Sequence, residues 1–150
     1  MPLYDVGMTS LLVSEAESLA ELALVAFDPP RTEDAAMLHA RCDDMRSRMR
    51  EHLWHPDLHT FSNKFSTNGS FYPRISPTSF FPLFARAPTD EQAKAMATEW
   101  LMSPKRFCVS PTGDGAGNSD DCFWGLPSIS ADDPAGVLTG HLGYWRGEHP

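Results

Sequence analysis

Adjacent carboxylates occur twice in the last third of the chain, as Asp120-Asp121 and Asp132-Asp133. Two carboxyl groups can divide the roles of general acid and general base in hydrolysis. Neighbours on one loop rarely face each other across a substrate, however, and Asp133-Pro134 is typical of a turn. We therefore expect both pairs to be structural and identify no catalytic residue among them.

Three histidines near the middle of the chain, His52, His55 and His59, have a spacing that metal ligands can use, and Asp57 lies among them. Zinc sites are built from such side chains when the backbone brings them together. Pro56 interrupts the helical register that would align the imidazoles. We interpret the group as histidines at a helix C-terminus, where cations are favoured, and we predict neither a metal nor another cofactor.

The cysteines Cys42, Cys108 and Cys122 are widely spaced and form no Cys-x-x-Cys motif, so a zinc knuckle is not predicted. An odd number also does not indicate a disulfide framework. Cys108 and Cys122 could close a loop in an exported protein, but free thiols are the expected state.

The composition is that of a folded domain, since 41% of the 150 residues are hydrophobic and 21% are charged. The net charge of −8 comes without any Lys- and Arg-rich run, which argues against nucleic acid as a partner. No run of about 18 apolar residues predicts a transmembrane helix, and residues 1–10 lack the pattern of a signal peptide. The compartment stays open, with the cytoplasm slightly favoured.

Four helices are predicted from apolar periodicity and from residues that favour helix ends. The predicted ranges are 14–27, which could extend back toward Gly7, 32–54, a start at Pro77, and 89–102. Residues 14–17 and 89–92 each have the form of a capping box. Pro29-Pro30 and Pro104 lie where the first and the last helix should stop.

Long irregular loops, residues 55–76 and the chain after residue 102, separate and follow these helices. They are rich in polar residues and aromatics, and Asn68-Gly69 suits a tight β-hairpin turn. This order of elements predicts an all-α fold of antiparallel helical hairpins, such as an α-solenoid or an α/α toroid. The order is two helices, a long loop, two helices and a long loop. No sequence repeat supports a regular solenoid.

Several segments in a fixed order carry a resemblance to a known family. They begin with Asp5-Val6-Gly7 and end with Tyr144-Trp145-Arg146-Gly147, and the full set is residues 5–12, 17–23, 74–83, 91–93, 124–135 and 144–147. Together they resemble the catalytic domain of glycoside hydrolase family 63 and the mannosylglycerate hydrolase-like enzymes. That group includes processing α-glucosidases and is related to trehalases.

The resemblance implies an (α/α)6 barrel of six helical hairpins that hydrolyses an α-linked glucosyl or mannosyl bond with inversion and without a cofactor. Inversion needs two carboxyl groups about 6.5–9.5 Å apart, which leaves room for the attacking water. In the family, one of these carboxyl groups precedes the segment matched by Asp5-Val6-Gly7. The other carboxyl group follows the segment matched by residues 144–147. Twelve helices with their loops also need well over about 200 residues.

We therefore expect residues 1–150 to be a single partial catalytic domain, truncated at both ends. The barrel would not close in this chain, and the isolated chain would be inactive because both catalytic carboxylates lie outside it. Residues 136–143 also depart from the family, which usually passes quickly from the segment ending at Ala135 to the one starting at Tyr144.

The resemblance also implies substrate-binding residues in the loops. Trp145 and Arg146, with Tyr144, would contact the sugar, because an aromatic face suits a pyranose ring and a guanidinium can fork to hydroxyls or a carboxylate. Trp124 could line the same cleft or pack beneath its loop. Arg74 could contact substrate or anchor the Ser-Pro-Thr segment that follows it, and the anchoring role is slightly favoured.

The alternative is a non-catalytic helical sugar-binding or interaction module derived from such an enzyme. In both interpretations the predicted partner is a carbohydrate. Apolar helix stripes without neighbours could also lead the chain to self-associate.

Overall fold

The computed structural model describes residues 2–108 and 127–133. Two long helices that pack against each other, α1 (Val6–Val25) and α2 (Thr32–His52), form its main body. The shorter elements are β1 (Leu3–Tyr4), β2 (Trp54–His55), β3 (Thr60–Phe61), β4 (Lys64–Phe65), a 3-10 turn (Pro77–Phe80), α3 (Phe81–Phe84), α4 (Asp90–Ala95) and a π-helical segment (Met96–Leu101). The predicted helical class with no closed barrel is confirmed for the described ranges.

Helix α1 begins at Val6, well before the predicted start at residue 14. Asp5 is the N-cap and its Oδ1 accepts the backbone N–H of Met8 at 2.7 Å. The N–H of Val6 donates to Oδ1 of Asn63 at 2.8 Å. These partners satisfy N–H groups that a helix start leaves free. The predicted capping box at residues 14–17 is therefore wrong, because those residues lie inside the helix.

Helix α2 begins at Thr32, as predicted, and ends at His52. Its buried side chains, Ala35, Cys42 and Met49, face α1, whose buried positions recur every three or four residues. The main core, which joins this helical pair to the loops, consists of Val6, Val13, Ala16, Cys42, Met49, Leu53, Phe61, Ile75, Phe80, Ala85, Ala87, Met96, Trp100 and Phe107.

The segment after α2 is tied down by short antiparallel pairings. Strand β2 pairs with β3, and β1 at the start of the chain pairs with β4. The predicted turn at Asn68-Gly69 is confirmed: an isolated bridge joins Lys64 to Phe71, and Gly69 has a φ of 71°. Glycine adopts this left-handed conformation without steric cost.

The last described helix is capped as predicted. Thr89 Oγ1 accepts the N–H of Gln92 at 3.3 Å, and Gln92 Oε1 accepts the N–H of Thr89 at 3.0 Å. The helix continues beyond α4 as the π-helical segment to Leu101, close to the predicted end. Trp100 is buried there and donates its indole N–H to the carbonyl of Leu58 at 2.7 Å, which fixes the helix against the preceding loop.

The cysteines differ in state. Cys42 is a buried free thiol whose pKa is raised, chiefly because burial disfavours the thiolate. Cys108 is disulfide-bonded, so the expected free thiol is wrong at this position; spacing along the chain does not report distance in space. Among the described helices, none has the length and apolar character that a membrane span requires.

Candidate functional site

Segments that are far apart in the sequence meet at the N-terminal end of α1. Gly7, in the first turn of α1, lies against Thr78 of the 3-10 turn, and a Cβ added at Gly7 would be 2.9 Å from the Thr78 Cβ. A larger residue at position 7 would force the two segments apart. We call the surface formed by residues 4–8, 72–79 and 127–133 the motif face, because it unites segments that carry the family resemblance.

The third segment joins this face through its backbone. The N–H of Ser130 donates to the carbonyl of Ile75 at 3.2 Å, and the N–H of Ala131 donates to the carbonyl of Arg106 at 2.9 Å. Ser130 is itself buried. Residues 127–133 are therefore held between the loop that precedes the 3-10 turn and the chain that follows the π-helical segment.

The loop before the 3-10 turn is anchored at both of its ends. The N–H of Tyr72 donates to the carbonyl of Asn63 at 2.7 Å, and the carbonyl of Tyr72 accepts the hydroxyl of Ser62 at 2.8 Å. At the other end, the hydroxyls of Ser76 and Thr78 are hydrogen-bonded at 2.9 Å. These hydrogen bonds fix the backbone on both sides of Arg74, which lies between the two anchors.

Arg74 is the predicted substrate-binding residue that the described ranges contain. Its side chain is exposed, and within the described part of the chain it has no hydrogen bond or ion pair. Arg106, by contrast, is bound to Asp132 and stacks over the Trp100 ring with its guanidinium carbon 3.9 Å from the ring centroid. Nothing in the described part of the chain therefore occupies the guanidinium of Arg74.

The carboxylates of the motif face have structural partners. Asp5 caps α1, and Asp132 accepts from Arg106 Nε at 3.3 Å and from the hydroxyl of Ser130. Asp133 is buried, with 7% of its surface exposed, and is also partnered. The structural role expected for Asp132-Asp133 agrees with these contacts. On the described part of this face, no carboxylate pair stands free for acid and base catalysis.

The other predicted site residues are Trp124, Tyr144, Trp145 and Arg146, and they lie outside the described residues, as do Asp120-Asp121 and Cys122. The structure therefore brings together the backbone segments around Arg74, and the predicted grouping of Arg74 with these four side chains stays a prediction.

The three histidines point to separate neighbours. His55 packs its ring on Phe71 with centroids 4.3 Å apart, and His59 Nδ1 lies 3.0 Å from Glu99 Oε1. His52 is exposed near Glu51. Residues 2–108 and 127–133 contain no group of three potential metal ligands, so the spacing of the histidines does not bring them to one point.

Two arginines on α2 have a positioning role that the sequence analysis missed. Arg46 donates Nε to the carbonyl of Ala85 at 2.7 Å and pairs Nη2 with Glu17 at 2.9 Å, while Arg50 donates to the carbonyl of Ala87 at 2.7 Å. Burial by itself would lower the pKa of Arg46, but the nearby carboxylates of Glu17 and Asp43 together outweigh burial and raise it. One helical turn apart, both arginines hold the chain after α3 against α2.

Solved structures share this arrangement of helices. A sialidase has a TM-score of 0.68 at 16% identity, over 88% of this chain and 10% of that chain. Neutral trehalase from Saccharomyces cerevisiae has a TM-score of 0.62 at 17% identity, over 85% and 22%. The family 63 mannosylglycerate hydrolase from Thermus thermophilus, solved in complex with Tris, has a TM-score of 0.59 at 22% identity, over 88% and 27%.

The chain therefore spans between 10% and 27% of the length of these three proteins. The trehalase and the mannosylglycerate hydrolase are (α/α)6 glycosidases, and the described helices match part of such a barrel. The fold places the chain in the class of helical (α/α)6 domains.

A family model for the mannosylglycerate hydrolase MGH1-like glycoside hydrolase domain matches residues 1–149. The chain belongs to this family, and the resemblance drawn from its motif segments is confirmed. A comparison with curated proteins finds no match.

Proposed function

We propose that the chain is part of a glycosidase that hydrolyses an α-linked glucosyl or mannosyl bond with inversion. One observation carries the proposal: the segments shared with the glycoside hydrolase family meet on the motif face, where Arg74 is exposed and has no hydrogen bond or ion pair with the other described residues. The names of two similar structures, a trehalase and a mannosylglycerate hydrolase, favour a glucosyl or mannosyl residue. The reaction needs no cofactor in this proposal.

The distribution of carboxylates supports a partial catalytic domain. An inverting enzyme needs one carboxylic acid to protonate the leaving oxygen and one carboxylate to activate water. Asp5, Asp132 and Asp133 already have structural partners on the motif face. These three residues are therefore not the proposed catalytic pair. The resemblance to the family implies a pair outside residues 1–150, and in this proposal residues 1–150 supply one wall of the barrel with its substrate-side loops.

Arg74 is proposed to bind the substrate, and its loop anchors to hold it in place. A guanidinium offers a planar set of donors that can fork to two sugar hydroxyls or to a carboxylate on the substrate. Trp124, Tyr144, Trp145 and Arg146 are proposed to complete the sugar site, with the tryptophans packing on the pyranose ring.

The test uses the protein encoded by the reading frame extended on both sides of this chain. We expect hydrolysis of an α-mannoside or α-glucoside, with the first-formed sugar inverted when its anomeric proton is followed by NMR. Arg74→Ala should raise KM or lower kcat/KM by roughly 10-fold or more, the effect of losing a charged hydrogen bond.

Arg41→Ala is the matched control, since Arg41 is an exposed arginine on α2 that belongs to none of the motif segments. Its kinetics should equal those of the unchanged protein. Retention of the anomeric configuration would contradict the inverting mechanism, and equal effects of the two substitutions would contradict the role of Arg74.

A further inference from the structure

One face of α1 is apolar and exposed. Its residues are Met8, Leu11, Leu12, Leu19 and Leu22, which are between 40% and 65% exposed. At about 100° per residue, all five project within about 60° of the direction of Glu15, which is also exposed. We call this stripe, Glu15 included, the α1 seam. It lies opposite the buried face that carries Val6, Val13 and Ala20.

Within the described residues, no element packs on the α1 seam, whereas other elements pack on the remaining sides of α1. Helix α2 and α3 pack on the other sides of α1, and its neighbouring acidic residues have partners: Glu17 pairs with Arg46, and Glu21 lies 3.9 Å from His39. Glu15 has no ion pair or hydrogen bond in the described part of the chain. Five large apolar side chains at helical spacing are typical of a helix–helix contact.

The position of Glu15 decides what can cover this stripe. Glu15 lies midway between Met8 and Leu22, so an apolar helix laid along the seam would bury its carboxylate. A buried carboxylate without a cation is strongly disfavoured. We therefore expect the helix that covers the seam to place a basic side chain at its centre.

A second copy of this chain does not meet this requirement. In a symmetric dimer, the seams of two copies would overlap fully. Glu15 of one copy would then lie opposite Glu15 of the other, whether the two helices run parallel or antiparallel. Like charges in a desolvated contact oppose association. A symmetric dimer through α1 is thus disfavoured by the residue at its middle.

We propose that the α1 seam is covered by a further amphipathic helix of a longer (α/α)6 domain, which places a lysine or arginine opposite Glu15. This inference rests on the proposal that the chain is part of such a domain. It agrees with the lengths of the similar structures, of which the chain spans at most 27%. The helix would pack beside α1 on the side that α2 leaves open.

The experiment measures binding of two synthetic helical peptides to the full 150-residue chain. Both are about 20 residues long and carry leucines along one stripe; one has lysine at the centre of the stripe and the other has glutamate. We expect the lysine peptide to bind at least roughly tenfold more tightly, with an affinity that weakens as salt is added.

Glu15→Lys should reverse the preference of the chain for the two peptides. Glu51→Lys makes the same change of charge at an exposed position of α2 and should leave the preference unchanged. If Glu15→Lys failed to fold, the two peptides compared on the unchanged chain would still decide. Leu19→Asp should abolish binding of both peptides.

Equal affinity for the two peptides, or binding of neither, would overturn the inference. So would a dimer in sedimentation that Leu19→Asp dissociates, because the occupant would then be a second copy. These experiments measure peptide binding alone and are independent of glycosidase activity. The proposal for the α1 seam can therefore be refuted while the longer protein is active, and it can be supported while the longer protein is inactive.

Discussion

Gly7 and Thr78 are in such close contact that a Cβ added at Gly7 would lie 2.9 Å from Cβ and 3.3 Å from Cγ2 of Thr78. Gly7 is the second residue of α1 and Thr78 belongs to the 3-10 turn, so this contact sets the distance between two segments of the motif face. The side chain of Thr78 is branched at Cβ and half-buried, and it cannot turn aside to admit a methyl group without moving its backbone.

Gly7→Ala should therefore destabilise the fold, although alanine favours a helix more than glycine does. We expect the free energy of unfolding to fall by about 1–3 kcal/mol, the usual cost of overpacking, measured by urea denaturation. Met8→Ala, at the exposed neighbouring position, should change it by less than about 0.5 kcal/mol. A Gly7→Ala variant as stable as the unchanged chain would show that the contact is looser than described.

Arg46 should contribute more to stability than an arginine that is paired on the surface. Arg46→Met removes the donor to the Ala85 carbonyl and leaves Glu17 without its closest cation. We expect a loss of about 1–3 kcal/mol. Arg48→Met is the matched control, because Arg48 pairs with Asp44 on the exposed side of α2, where solvent and salt screen the pair and its removal should change stability little. Equal losses in thermal or urea unfolding would refute the positioning role of Arg46.

The thiol of Cys42 should make stability fall at alkaline pH. Burial raises its pKa in the folded chain above the ordinary value of 9.0, so the unfolded chain releases the proton first. Stability from this group is complete below pH 9.0 and is lost as pH rises toward and through the folded pKa. The pH dependence of unfolding should be steeper above about pH 9 for the unchanged chain than for Cys42→Ala. The same slope in both would contradict the difference in pKa.

The capping box at the start of α4 should affect both the free energy of unfolding and the titration of Glu91. Thr89→Ala removes the acceptor for the Gln92 N–H and should cost about 0.5–2 kcal/mol. The pKa of Glu91 is lowered first by its own backbone N–H and second by the hydroxyl of Thr89. In the variant this pKa should rise part of the way to its ordinary value, as an NMR titration of the side chain would show. An unchanged Glu91 titration would exclude the contact with Thr89.

Local signals in the sequence predicted the elements that local contacts fix. Thr89 caps the helix that begins at Asp90, and Gly69 occupies the turn that Asn-Gly favours. Each of these features depends on residues within one turn of the chain, so propensity and spacing are sufficient to find them.

Contacts between distant segments were not predictable in the same way. The start of α1 depends on Asn63, which supplies an acceptor from a loop far along the chain. The pairing of Leu3 with Phe65 and the arginine contacts of α2 likewise join residues whose proximity no periodicity reports. The resemblance indicated the segments of the motif face, but the closeness of Gly7 to Thr78 and of Ser130 to Ile75 is a feature of the fold alone.

We propose that residues 1–150 are one part of an (α/α)6 glycosidase whose catalytic carboxylates lie outside this chain. The most direct measurement is a side-by-side assay of the purified 150-residue chain and the protein extended in frame on both sides, with α-mannosides, α-glucosides and mannosylglycerate as substrates. We predict turnover by the extended protein and none by the chain alone. Turnover by the chain alone, at a rate that follows its concentration through purification, would contradict the claim.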